Sequence, residues 1–292
     1  MRKSTRFQVA KRDIVSFFDG YEKRILEMTD ISSILEQNRK FWRLPRNVGP
    51  SKFVNLLTQS TKLKAYDFTF PRKTYLRLAW GDRSIYELAL SLERASYFTH
   101  YTALYWHNLT DQIPKTIYVN CEQRPKRHVG ERLLQGNIDT AFRNPQRESK
   151  NVTIVGDFKI CMVNGKWTNK LGVTEIVTDD NEQIALTDLE RTLIDIVVRP
   201  TYSGGIYEVL NAYRRAAKTV SINKLSSMLR KLDYVYPYHQ AIGFYLERAG
   251  AYREAQIQLL RKFEFQYDFY LTHQMKETEY SKEWRLYYPK GF

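Results

Sequence analysis

Apolar residues recur at helical spacing through the first part of this chain and then switch to alternation. Ile14, Val15, Phe17 and Phe18 mark a helix over about residues 11–21, with Gly20 as its stop signal. A second helix is expected after Thr29-Asp30, both good N-cap types, carrying Ile31, Ile34 and Leu35 to about Asn38. Leu44-Pro45-Arg46-Asn47-Val48-Gly49 breaks the period and reads as a turn, and Pro50 suits the first turn of a third helix over about 51–62. Leu63, Ala65, Phe68 and Phe70 then alternate, and after Pro71-Arg72-Lys73 the alternation resumes with Tyr75-Leu76-Arg77-Leu78. Two strands joined by a basic turn make a hairpin. Three helices followed by such a hairpin is the element order of a winged helix-turn-helix.

Trp80-Gly81-Asp82-Arg83 reads as a linker, and the pattern beyond it is mixed. A helix is expected over about 84–95, and Ile113 to Val119 reads as a turn into a strand. Residues 121–150 are polar and read as containing a mobile loop, whereas Val152 to Val163 and Val173 to Val177 are β-rich. Thr187-Asp188-Leu189-Glu190 has the form of a capping box, opening a helix that stops before Pro200. After the Gly204-Gly205 corner come helices over about 206–217, 221–232 and 238–249, then Gly250, a helix over about 252–262, and alternating residues at 263–271 and 284–288. The predicted fold class is α+β: a winged helix-turn-helix over 1–83 and a larger mixed α+β domain over 84–292.

Charge separates the same two regions. Residues 1–83 hold 18 Lys/Arg against 8 Asp/Glu, so only four units of the net +14 fall on the remaining 209 residues. A surplus confined to a small module points to a polyanion partner for that module. On the third helix, at about 100° per residue, Phe53, Leu56 and Leu57 share one side. Ser51, Asn55, Thr58, Gln59 and Lys62 share the other, with Lys52 at the boundary. Asn and Gln amides match adenine edges, and Lys matches guanine or phosphate, so this helix is the candidate reader of a major groove. Arg72 and Lys73 at the hairpin tip are the candidate phosphate or minor-groove contacts. The predicted partner is duplex operator DNA. One small module makes too few contacts for tight specific binding, so the operator should hold repeated half-sites.

Composition excludes several classes. Two cysteines, Cys121 and Cys161, argue against a disulfide framework or a cysteine-rich zinc site. No apolar run approaches about 18 residues, so no membrane partner is expected and a cytoplasmic location is the default. No P-loop, Gly-x-Ser-x-Gly or His-Glu-x-x-His occurs, so neither a catalytic residue nor a cofactor is expected. His100 and His107 lie seven apart, but without a supporting carboxylate pattern they are not read as a metal pair.

Three blocks of the second region resemble a known family. They are Tyr97-Phe98-Thr99-His100-Tyr101-Thr102-Ala103-Leu104, Leu186 to Asp195 (which includes Thr187, Asp188, Glu190, Arg191 and Asp195), and Arg199-Pro200 with Tyr202-Ser203-Gly204-Gly205. In these blocks the chain resembles the type IV abortive-infection antitoxins (AbiEi-like). The resemblance implies a two-gene phage-defence system. Its antitoxin represses its own promoter and counteracts a nucleotidyltransferase-like toxin encoded beside it. Read as side chains, Arg191 and Asp195 are four apart and can pair on one helix face, so they read first as framework and second as toxin contacts.

Two other readings stay open. The aromatic-rich second region could hold a small-molecule sensor pocket in a DNA-binding regulator. Asp157, Glu175, Asp179 and Asp180 flank β-rich segments, as acidic ligands of a metal-dependent nuclease would, although Asp179-Asp180-Asn181 has the form of a hairpin turn.

Overall fold

The computed structural model describes residues 6–125 and 133–292. The chain divides into two compact units. One runs to Arg94 and includes Thr153–Val155; the other takes in Ala95–Val152 and Gly156–Phe292. The fold is α+β throughout, with a winged helix-turn-helix first.

In the first unit, α1 (Arg6–Gly20) is followed by β1 (Ile25–Leu26), α2 (Met28–Asn38), α3 (Pro50–Ser60), β2 (Leu63–Thr69), β3 (Thr74–Trp80) and α4 (Ile85–Leu90). The helix α2 starts earlier than Thr29-Asp30 predicts. The Asp30 carboxylate reaches back 2.7 Å to the Glu27 amide, so Asp30 sits inside the first turn rather than at the cap. The link from α2 to α3 is fastened by Arg39, whose guanidinium donates to the carbonyls of Pro45 (2.9 Å) and Val48 (3.0 Å). Trp42 closes it from inside by stacking on Phe53 at 5.7 Å. Both strands β1 and β2 pair antiparallel with β3, and Phe70 donates its amide to the Lys73 carbonyl across the hairpin turn. Ile14, Leu35, Phe53, Leu57 and Leu78 are fully buried beneath this sheet. The expected linker at 80–83 is not one: Trp80 ends β3 with 2% exposure, and Ser84 caps α4 inside the same unit. The boundary therefore falls after Arg94.

The second unit opens with β4 (Tyr97–Phe98), α5 (His100–Trp106), β5 (Thr116–Asn120) and α6 (Gln135–Arg143). The stretch 121–150, read as polar and as including a loop, also contains a helix, whose Ile138 and Phe142 are buried; residues 126–132 lie outside the described residues. Then come β6 (Val152–Val155), of which Thr153–Val155 group with the first unit, and β7 (Phe158–Val163), β8 (Val173–Val177) and β9 (Gln183–Thr187). The mixed sheet has the order β6-β7-β5-β4-β9-β8. Helix α7 (Leu189–Val198) follows, and one 3-10 turn (Pro200–Ser203) leads to α8 (Ile206–Ala216), α9 (Ile222–Leu232), α10 (Tyr238–Ala249) and α11 (Glu254–Arg261). These helices share one core, in which every residue of α7 from Glu190 to Val197 is buried.

The chain closes with β10 (Phe269–Tyr270), β11 (Thr278–Ser281) and β12 (Leu286–Pro289). Strand β12 lies between the other two, parallel to β10 and antiparallel to β11. Helix α10 holds this sheet. A Cβ on Gly243 would stand 1.9 Å from the Trp284 ring, so only glycine lets the indole lie against the helix. The Gln240 amide donates to the carbonyls of Trp284 (2.8 Å) and Tyr267 (3.0 Å).

Candidate functional site

Helix α3 is built to bury one side and offer the other. Pro50 occupies its first turn, where the missing amide costs nothing. Phe53, Val54 and Leu57 are buried, while Ser51, Lys52, Asn55 and Gln59 are exposed, and their side chains form no hydrogen bond or ion pair among the described residues. Thr58 is half-buried and bonds the Asn55 carbonyl at 3.1 Å. Lys62 does not belong to the helix. The Ser60 and Thr61 hydroxyls take the carbonyls of Leu56 and Leu57, which ends the helix at Ser60. Lys62 then reaches the Asp19 carboxylate at 2.5 Å, and Trp80 donates to the same carboxylate at 2.8 Å. The Lys62 ammonium and the Trp80 indole hold Asp19 below the usual carboxylate range. Lys62 thus ties the helix end to α1.

The two wing cations also differ. Arg72 is exposed and without an ion pair among the described residues. Lys73 lies 3.4 Å from the Glu93 carboxylate and 4.0 Å over the Tyr75 ring. Three exposed cations escape the helical-period argument: Lys40, Arg43 and Arg46, all in the link between α2 and α3. Their visible signal was basicity beside a turn, not periodicity.

The residues of the three family-like blocks cluster around α7. The capping box is not formed. Thr187 is the last residue of β9 and bonds Thr192 through its hydroxyl at 2.8 Å. The cap is Asp188, which accepts from the Arg191 amide at 2.8 Å. Glu190 turns away, accepting from the Ser221 amide (2.9 Å) and the Lys224 ammonium (2.7 Å). Burial would raise its pKa, but those two donors hold it below the usual value. Arg191 and Asp195 form a buried pair at 2.8 Å, as their spacing predicts. Asp195 also accepts from Thr99 (3.1 Å), and Arg191 also donates to the Leu171 carbonyl (2.7 Å). Tyr101 meets Thr110 at 3.1 Å, and the buried Thr102 hydroxyl accepts the Tyr118 amide at 2.8 Å. Gly204 and Gly205 have φ of +80° and +90°; a Cβ on Gly204 would press on Tyr101 and Glu208 at 3.1 Å.

A cavity of about 840 Å³ opens beside this cluster, within the second unit. Arg191, Asp195 and His100 stand at its wall, as do Trp167, Tyr234 and the sheet-derived Asn120. His107 points elsewhere, its Nε2 2.7 Å from the Thr187 carbonyl, so the two histidines do not form a pair. Of the acidic residues considered, Asp179 and Asp180 form the turn between β8 and β9, and Glu175 bonds Gln183. Among the described residues, no three His, Cys, Asp or Glu side chains form a group able to hold a metal ion. Among the same residues, no helix is long and apolar enough to cross a membrane.

Comparison with known proteins places the fold but no more. No family model matches the chain. Nor does any curated protein. Among solved structures, the chain is similar to the RV2827C protein from Mycobacterium tuberculosis, with a TM-score of 0.60 at 14% identity over 96% of this chain and 91% of that one.

Proposed function

We propose that this protein is a DNA-binding autorepressor and the antitoxin of a type IV abortive-infection pair. Its first unit reads operator DNA, and its second counteracts a nucleotidyltransferase-like toxin. The observation that carries the DNA reading is the outward face of α3. Ser51, Lys52, Asn55 and Gln59 stand in solvent with their hydrogen-bonding capacity unused, beside the basic link at Lys40, Arg43 and Arg46. In a winged helix-turn-helix this helix enters the major groove, where amides read bases and cations meet phosphates. Arg72, unpaired among the described residues, supplies a cation at the wing, and Lys73 becomes a second only by giving up Glu93.

The antitoxin half rests on the resemblance of the three blocks and on their forming one compact cluster around α7. Two measurements test the whole. Titration of the chain's own promoter against random duplex at several salt concentrations should give specific binding, with a log–log slope of about −0.9 per phosphate neutralised. Coexpression with the neighbouring toxin gene should rescue growth. Equal affinity for promoter and random duplex would end the autorepressor reading, and absent rescue would end the antitoxin one.

A further inference from the structure

The cavity beside α7 has the chemistry of a ligand site. At about 840 Å³ it falls within the range of small-molecule pockets. The Arg191–Asp195 pair in its wall is self-neutralising. The remaining charged lining consists of Arg124, Lys166, Arg199 and Lys231 against Asp233 alone, a surplus that favours an anion. Trp167, 44% exposed, offers a flat surface for a planar group, and Tyr234 and Tyr236 line the same space.

The wall is built in advance. Gly165 donates its amide to the Asn120 side chain at 2.9 Å, and a Cβ there would clash with that side chain at 2.5 Å. The Gln123 amide bonds the Gly165 carbonyl at 2.8 Å, so the segment carrying Lys166 and Trp167 is fixed to the end of β5.

A second, independent feature borders the same space. His100 is 6% exposed, and its Nδ1 has no hydrogen-bond partner among the described residues. It also holds a left-handed backbone, φ +52°, which a non-glycine residue rarely adopts. Unpaired buried polar atoms and strained residues collect where a ligand completes the structure. Burial pushes the His100 pKa down to about 4, so at neutral pH the imidazole is uncharged and suited to a hydroxyl or a ring nitrogen rather than to phosphate.

We infer that this cavity binds a nucleotide: its planar base lies against Trp167, its phosphate faces Lys231 and Arg199, and a neutral group bonds His100.

Calorimetric titration of the full chain tests it, using the four ribonucleoside monophosphates and triphosphates, the nucleosides, inorganic phosphate and a short single-stranded oligonucleotide. At least one mononucleotide should bind saturably, with the matching nucleoside and phosphate alone each at least about tenfold weaker. Lys231→Glu changes an exposed side chain without a partner among the described residues, and should weaken nucleotide binding about tenfold at unchanged melting temperature. His100→Asn, which tolerates the left-handed backbone, should also weaken nucleotide binding about tenfold. The inference is overturned if no mononucleotide binds at about 1 mM, if Lys231→Glu binds as tightly as the parent, or if only the oligonucleotide binds.

Discussion

Helices α3 and α7 both carry polar side chains at positions one turn apart, and the two sets have opposite fates. On α3, Asn55 and Gln59 face water, with no side-chain partner among the described residues. On α7, Glu190, Arg191 and Asp195 are 4–6% exposed, and each is held by several partners. A polar residue spent inside the fold is not available to a partner molecule. One left unpaired on a rigid helix is available at little entropic cost. Removing the first kind should therefore damage stability, and removing the second kind should damage recognition alone.

Asp195→Ala should give the largest effect. It strands the Arg191 guanidinium in the core and costs about 3–5 kcal/mol in urea unfolding of the second unit. Unfolding at parental denaturant would mean that α7 is not the framework described.

A change of pH should act next. His100 and His239 are buried and neutral, each with its pKa pushed down to about 4 by burial. In the unfolded chain they take up protons near about 6.5. Stability is complete above that value and is lost as pH falls from about 6.5 to about 4, by up to about 3 kcal/mol per histidine. Melting temperature followed through this window should fall, and should fall less in His100→Asn.

The Asn55→Ala, Gln59→Ala double variant should keep its melting temperature. It should lose operator preference by about 1–3 kcal/mol per lost base contact. Unchanged preference would remove α3 as the reader.

The smallest effect should come from the wing. Arg72→Ala should reduce the salt slope by about one unit, and Lys73→Ala by less, because Glu93 already engages that ammonium. An equal loss from both would show that the Glu93 contact gives way on DNA.

The architecture of the first unit was legible because it rests on local signals: Pro50 at a helix start, buried Phe53 and Leu57 four apart, and a Pro-containing turn between alternating runs. Strand β1 was not, since two residues carry no period and exist only through pairing with β3. Sequence spacing placed Arg191 with Asp195 but could not show Thr187 consumed by β9, which moves the cap to Asp188. Lys62 was misplaced because its destination, Asp19, is set by tertiary folding. The cavity was equally hidden: His100, Trp167 and Lys231 are far apart in the chain, and only the sheet and α9 bring them to one space.

The position of β12 bears on the order of events during synthesis. The small sheet cannot form until residues 286–289 have left the ribosome, because β12 is its middle strand. Trp284, which Gly243 admits to the face of α10, arrives at the same late moment. The helices and hairpin of the first unit all lie before Arg94, have no such dependence and can fold while the rest is still being translated, since domains fold from the N-terminal side. A nascent or prematurely terminated chain therefore carries a finished winged helix ahead of an unfinished second unit.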